Sequence, residues 1–347
     1  MDLQIALLLT QDGIVNGAIY ALLALALVLV FAVTRVIFIP QGEFVAFGAL
    51  TLASFQTAKV PGTLWLLIGM GAVISIIELL SSSRRRGGRR RLTFALGWNL
   101  AYPAALAVIT LLAKPGDWPL ALQVLLALAL VVPLGPMIYR LVYQPLASAS
   151  VLVLLIVSVA VHLALVGLGL LFFGAEGSRT PAFSEASFSL GDVTVTGQTL
   201  WVIGASLLLI VALYIFFERS LWGKALRATA INRVGAQLMG ISTTQAGKLC
   251  FLLAAAIGAM SGILVAPITT IYYDTGFLVG LKGFVAAIVG GMISYPLAAA
   301  GAVLVGLLES FSSFWASAFK EVIVFTLIIP VLLWRAMTPH HVEEEEE

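Results

Sequence analysis

A series of apolar runs, repeated along nearly the whole chain, limits the possible folds more than any other feature. Read against their polar punctuation, the runs fall at 13–34, 43–58, 63–81, 92–113, 118–139, 150–173, 198–218, 246–267, 277–294, 297–317 and 320–336. A helix needs about 20 apolar residues to cross the hydrocarbon of a bilayer. Most of these runs reach that length. Composition says why water is the wrong solvent: 61% of the 347 residues are hydrophobic, 10% are charged, and the mean hydropathy is +1.08. Soluble domains carry about 25% charged residues, because their surfaces face water. The expected fold is therefore all-α: a polytopic transmembrane helical bundle of about nine to eleven spans occupying residues 1–337. The runs at 43–58 and 277–294 are short and contain glycine. They are expected to be broken or re-entrant helices, which a membrane tolerates where protein or water covers the freed backbone.

Basic residues set the orientation, since Lys and Arg in short loops resist translocation. Arg84, Arg85, Arg86, Arg89, Arg90 and Arg91 mark a cytoplasmic loop at 82–92. Arg140, then Arg219, Lys224, Arg227 and Arg233, and finally Arg335 fall on the same side if every run crosses once. The N-terminus is then external and the C-terminus cytoplasmic, with a long external loop at 174–197. Within that loop "SFSLGDVTVTG" alternates like a short hairpin. The basic run reads as a topology anchor, with attraction for anionic lipid headgroups as the sharper reading. Nucleic acid is not an expected partner, since no basic domain stands outside the apolar runs. Residues 338–347 end in five consecutive glutamates, whose mutual repulsion favours a disordered tail. Asp2 and the lack of a basic leader argue against a cleaved signal peptide.

Polar residues inside apolar runs are costly and need a reason. Asn16, Gln41, Glu43, Asn99, His162 and Glu309 are of this kind. Glu43 adjoins the Pro40–Gly42 break, which places it, with Asn16, Gln41 and Glu309, on a candidate translocation path. His162 reads instead as a structural hydrogen bonder, because no partner for a proton relay is evident in the sequence. Glu78, just before the arginine run, reads as interfacial. Gly258, Gly262, Gly290, Gly291, Gly301 and Gly306 allow helices to approach closely, and Pro267 and Pro296 end or bend spans. Cys250 reads as a small buried hydrophobe.

Several chemistries find no support. The sequence contains no phosphate-cradling G-x-x-x-x-G-K-[ST]. Its three histidines and one cysteine are too scattered for a metal site, and no Ser-His-Asp arrangement is evident. The chain is expected to hold no metal or cofactor and not to be an enzyme.

The most informative connection is 219–245. It mixes Ala225, Leu226, Ala228, Ala230, Val234, Leu238 and Met239 among charges. The pattern predicts a short amphipathic helix at about 230–239, stopped by Gly240. Such a helix serves either as a partner's docking element or as an ordinary interfacial helix lying on headgroups.

Here the chain resembles a family. "RATAINRVGAQLMGI", "LCFLLAAAIGAMSGIL" and "GLKGFVAAIVGGMISYPLAAAGAVLVGLLES", in that order, resemble the permeases of branched-chain amino acid ABC importers, and more the first of the two paired permeases than the second. "NGAIYALLALALVLVFAVTRVIF" and "YRLVYQPLASAS" extend the likeness over most of the chain. The resemblance implies that 227–241 is gripped by a cytoplasmic ATPase, with Arg227, Ala236 and Gly240 at the matching positions; Arg233, Leu238 and Met239 of the same segment are further coupling candidates. It further implies a second homologous permease, two ATPase subunits that hydrolyse the ATP, an external substrate-binding protein, and residence in the cytoplasmic (inner) membrane. The chain departs from the family at Phe38–Gly42, where "FIPQG" replaces the usual "NFAHG" and Gln41 stands for a histidine. The basic run at 84–91 looks like an insertion.

An internal echo accompanies this reading: "GEFVAFGALTLAS" at 42–54 and "GFVAAIVGGMIS" at 283–294 share FVA, as two related halves with discontinuous helices would. The expected function is import of branched-chain amino acids. The alternatives are a urea or amide permease of the same kind, an ion-coupled secondary transporter, and a non-transporting scaffold.

Overall fold

The computed structural model describes residues 3–82, 97–190, 193–292 and 294–337. The arginine run and the glutamate tail lie outside the described residues. Eight helical stretches among the described residues are long and apolar enough to cross a membrane. Two shorter apolar helices, Gly97–Leu112 and Thr275–Val289, join them. The protein is a multi-pass helical membrane protein.

Helix α1 (Leu3–Thr34) is the axis of the bundle. Its most apolar window is 83% buried, against 22% for α7 (Val151–Phe173) and 11% for α8 (Gly197–Arg219). A helix apolar on every face belongs in a core or in lipid; α1 takes the first place and α7 and α8 the second. Around α1 pack α11 (Thr243–Val265), α12 (Thr275–Val289) and α13 (Tyr295–Trp315). Helix α2 (Gln41–Gln56) packs on α11 and α12. The contact of α1 with α13 is made by small residues: a methyl group on Gly13 or Gly17 would strike the backbone of α13 near Leu307 and Val303. Lipid offers helices no hydrophobic reason to associate, so close backbone packing has to hold them.

The outer helices are α3 (Gly62–Ser82), α4 (Tyr102–Leu112, entered through a π-helical turn Gly97–Ala101), α5 (Leu120–Val131), α6 (Leu134–Ile138), α7 and α8. A π-helical turn at Tyr139–Tyr143 follows α6. Trp65, Leu112, Leu152, Leu171 and Leu208 are exposed on the outer set, as a lipid-facing surface requires. The chain closes with α14 (Lys320–Thr326) and α15 (Ile328–Met337).

One end of the bundle carries the expected hairpin, β1 (Ser187–Leu190) and β2 (Val193–Thr196), antiparallel with Phe188 opposite Val195. Its loop is tied to the end of α11. Gln198 Nε2 donates to the Leu264 carbonyl at 2.9 Å, and Arg179 Nε to the Pro267 carbonyl at 2.9 Å. The opposite end carries α9 (Leu221–Ile231) and α10 (Arg233–Leu238).

Both segments expected to be short are short. After α1 ends at Thr34, residues 35–40 run without helical structure before α2 begins at Gln41. Val36 and Phe38 in this stretch are buried, so its irregular backbone is covered by protein, not lipid. The Phe38 ring meets Phe251 at 4.7 Å and Tyr143 at 5.8 Å between centroids. Gln41 Nε2 then donates at 2.9 Å to the carbonyl of Ala254, which lies at the middle of the 23-residue α11. Helix α2 therefore starts inside the bundle. Helix α12 starts beside it, with Gly42 and Gly276 in backbone contact so close that a methyl group on either would collide with the other chain segment. The FVA echo does not describe this meeting: Phe44–Ala46 lie in the first turns of α2, whereas Phe284–Ala286 lie near the end of α12.

Candidate functional site

Two kinds of residue are out of place for their solvent: ionisable groups buried in the bundle, and apolar groups exposed beyond it.

The first buried group is Glu43, in the opening turn of α2 and 0% exposed. His162 Nδ1 pairs with Glu43 Oε1 at 2.9 Å. The imidazole stacks on Phe277 of α12, with ring centroids 4.4 Å apart. One polar contact thus joins α2, α7 and α12 where the two short helices meet. His162 is thus a hydrogen bonder between helices, as its sequence setting suggested; its partner stands 119 residues away and becomes visible only once the chain folds. Glu43 Oε2 is buried without a hydrogen-bond partner among the described residues, and so is Gln41 Oε1.

A second buried group surrounds Lys282, which is 5% exposed on α12. Its Nζ donates to Glu309 Oε1 at 2.5 Å and to Glu321 Oε1 at 3.1 Å. Tyr20 Oη donates to the other Glu309 oxygen at 2.5 Å, and the ammonium lies 5.9 Å from the Tyr20 ring centroid. This network ties α12 to α1, α13 and α14. Two carboxylates share one ammonium, and a tyrosine hydroxyl supplies the remaining donor. Buried charges persist only when paired and hydrogen-bonded in this way. Glu309 was among the expected path residues, but Lys282 was not. The signal was present in "GLKGF": a lone lysine inside an apolar run requires a buried carboxylate nearby.

The other expected path residues separate. Gln41 acts as a staple from α2 to α11 through Ala254. Asn16 is half-buried on α1, one helical turn before Tyr20 and on the same face. Glu78 lies near the end of its apolar span, as its interfacial reading requires, and it is not free there. It forms an ion pair with Arg140 and accepts from Asn99 Nδ2 at 3.5 Å, with its side chain 13% exposed.

At the α9–α10 end the single expected helix proves to be two. Asn232 takes an extended backbone, φ −144° and ψ 103°, and its side chain accepts from the Gly235 amide at 2.7 Å. That makes Asn232 the N-cap of α10, so the helix restarts there and does not run through. Ser220 caps α9 in the same way through Gly223 N at 2.8 Å. Gly240 ends α10 in the left-handed region at φ +82°, as expected, while the Ile241 amide returns to the Ala236 carbonyl at 2.9 Å.

The coupling candidates divide by exposure. Ala236 is buried, and Arg233 Nη1 donates to the Ala147 carbonyl at 3.2 Å, which fixes α10 to the end of the bundle. Arg227 is half-exposed and pairs with Glu218 at 2.8 Å. Leu238 and Met239 are 83% and 82% exposed, and Leu221, Ile231 and Val234 stand out beside them. A pair of capped, anchored helices thus presents an apolar face that no described residue covers.

Residues 9–332 match the family model described as branched-chain amino acid transport system / permease component. The chain belongs to that family. The permease family match spans nearly every element described above, from α1 to α15. Among its relatives is the high-affinity branched-chain amino acid transport system permease protein LivH of Salmonella typhimurium, 25% identical over 335 residues, covering 93% of this chain and 91% of that one. The permease protein BraD of Pseudomonas aeruginosa is 30% identical over 287 residues, covering 79% of this chain and 90% of that one. A probable LivH of Methanocaldococcus jannaschii is 30% identical over 234 residues, 65% of this chain and 73% of that one. No solved structure matches the chain.

Proposed function

We propose that this permease forms half of the membrane pore of an ABC importer for branched-chain amino acids. In this reading a second, homologous permease completes the pore, an external binding protein delivers the substrate, and two cytoplasmic ATPases hydrolyse the ATP. This chain makes and breaks no covalent bonds and holds no cofactor. It sits in the cytoplasmic membrane with the N-terminus and the 174–197 loop outside, and with the 219–245 segment and the C-terminus inside.

The observation that carries the proposal is the apolar face of α9 and α10, on a member of a permease family. Water penalises exposed Leu238, Met239 and Ile231 unless a partner covers them. A motor that grips α10 would move α9, and α9 packs directly on α8 and α1. Nucleotide must favour one packing of the bundle over the other, or ATP does no work on it. The meeting point of α2 and α12 is the natural place for the path, because discontinuous helices and buried polar groups concentrate there. Asn16, Gln41, Glu43 and Glu309 border it in this proposal.

The buried ion network also suits an ion-coupled carrier. A stand-alone carrier, however, gives no reason for the exposed helix pair, and the relatives bear the names of branched-chain amino acid permeases. Affinity isolation tests the reading. The native chain should bring down an ATPase, and Arg227→Glu combined with Gly240→Leu should release it. Uptake that persists without any ATPase and follows an ion gradient would refute the proposal.

A further inference from the structure

A cavity of about 330 Å³ opens at the α9 end of the bundle. It lies between the end of α1, the end of α8, α9 and the turn into α13, and Arg35, Phe217, Leu226, Arg227, Ile231 and Tyr295 are among its walls. Its level is fixed by two helix ends. The apolar α1 stops at Thr34, immediately before Arg35, and α8 stops at Arg219. At this level hydrocarbon gives way to headgroups.

Arg35 is held at φ +60°, a left-handed backbone that side-chain-bearing residues rarely adopt. It is exposed, and its guanidinium has no hydrogen bond or ion pair among the described residues. On the α9 wall, Arg227 is already paired with Glu218. The rest of the described lining is almost wholly apolar and includes no carboxylate. Among the described residues, the cavity therefore offers one free cation at its rim and greasy walls below.

That chemistry selects among ligands. An amino-acid zwitterion would leave its ammonium without an acceptor on these walls. A nucleotide would set its sugar and base against Leu and Ile. A phosphate ester with a hydrocarbon tail meets both surfaces at once.

We propose that this cavity binds the headgroup of an anionic phospholipid, with the phosphate on Arg35 and the first acyl carbons against Phe217 and Leu226. The volume holds only the headgroup region, so the tails continue into the bilayer. Since α9 forms one wall, an occupied site braces the segment that precedes the exposed α10. The proposal needs only the membrane placement of the chain and stands apart from the transport reading.

The shared chemistry is a phosphate anion, so the test must separate a lipid from free phosphate. The purified full chain in neutral detergent is titrated with spin-labelled phosphatidylglycerol, and the motionally restricted fraction is read by electron paramagnetic resonance. Arg35→Gly removes the cation and suits the left-handed backbone, which guards the fold. Arg219→Gln removes an equal charge outside the cavity lining.

The expected result is that Arg35→Gly weakens phosphatidylglycerol retention about fivefold, the size of one interfacial cation. Arg219→Gln should leave retention unchanged, phosphatidylcholine should not be held, and inorganic phosphate should not displace the probe. Equal losses from the two variants would mean diffuse surface charge. Equal retention of phosphatidylcholine would mean an apolar groove only, and displacement by phosphate would mean a free-anion site. Any of these three overturns the proposal.

Discussion

The centre of the bundle and the α9–α10 pair break opposite rules. Around Glu43 and Lys282, groups that prefer water are sealed among helices, and each carbonyl, carboxylate or ammonium found a specific partner or went without. On α9 and α10, groups that avoid water stand in the open, while the polar residues Ser220, Asn232 and Arg233 hold the backbone in place. The first arrangement makes a unique packing expensive to disturb. The second makes a surface cheap to alter, and in the proposed function it is where a partner docks. Stability and function should therefore respond inversely in the two regions.

The largest effect on stability is expected at Lys282. Lys282→Met leaves Glu309 and Glu321 facing each other without a cation, and removing one member of a buried pair costs about 3–5 kcal/mol. Thermal unfolding monitored by size-exclusion chromatography should show the loss. Lys282→Met combined with Glu309→Gln should recover part of it, because fewer buried charges then go unpaired. A double variant worse than the single would show that the network is not the source.

Next comes the crossing of the short helices. Gly42→Ala forces α2 and α12 apart and should cost about 1–3 kcal/mol as overpacking. The same substitution at Gly204, which has open space around it, should cost far less. Equal effects on the melting temperature would remove the close approach from the account.

A smaller loss is expected at the helix restart. Asn232→Ala removes the α10 cap and should cost about 1 kcal/mol locally. Faster amide exchange confined to 233–239 is the expected reading. Exchange spreading through α11 would show that α10 is no separate unit.

Much of this plan was legible in the chain. Apolar runs of membrane length located the spans, and glycine-containing runs at 43–58 and 277–294 marked the two short helices. Gly240 announced the end of α10 because few other residues accept its backbone. What escaped was of two sorts. The Asn232 break was readable, since asparagine before a polar turn is a cap signal, but the apolar pattern on either side masked it. The Glu43–His162 and Lys282–Glu309 pairs depend on which helices become neighbours, and no local pattern carries that information. A solitary Lys282 in an apolar run announces that a carboxylate is needed without saying which one. FVA at two places suggested repeated halves, yet the helices meet at Gly42 and Gly276, whose neighbours share little beyond small size.

The smallest stability change should accompany the largest functional one. Leu238→Ser with Met239→Ser replaces two side chains that touch almost nothing of their own chain, and should move the melting temperature by no more than about 0.5 kcal/mol allows. Reconstituted with the partners proposed above, this variant should lose ATP-driven leucine uptake while the folded protein remains as stable as the native one. Uptake at the native rate on ATP, with that apolar face removed, would contradict the claim that α9 and α10 transmit the motor's work.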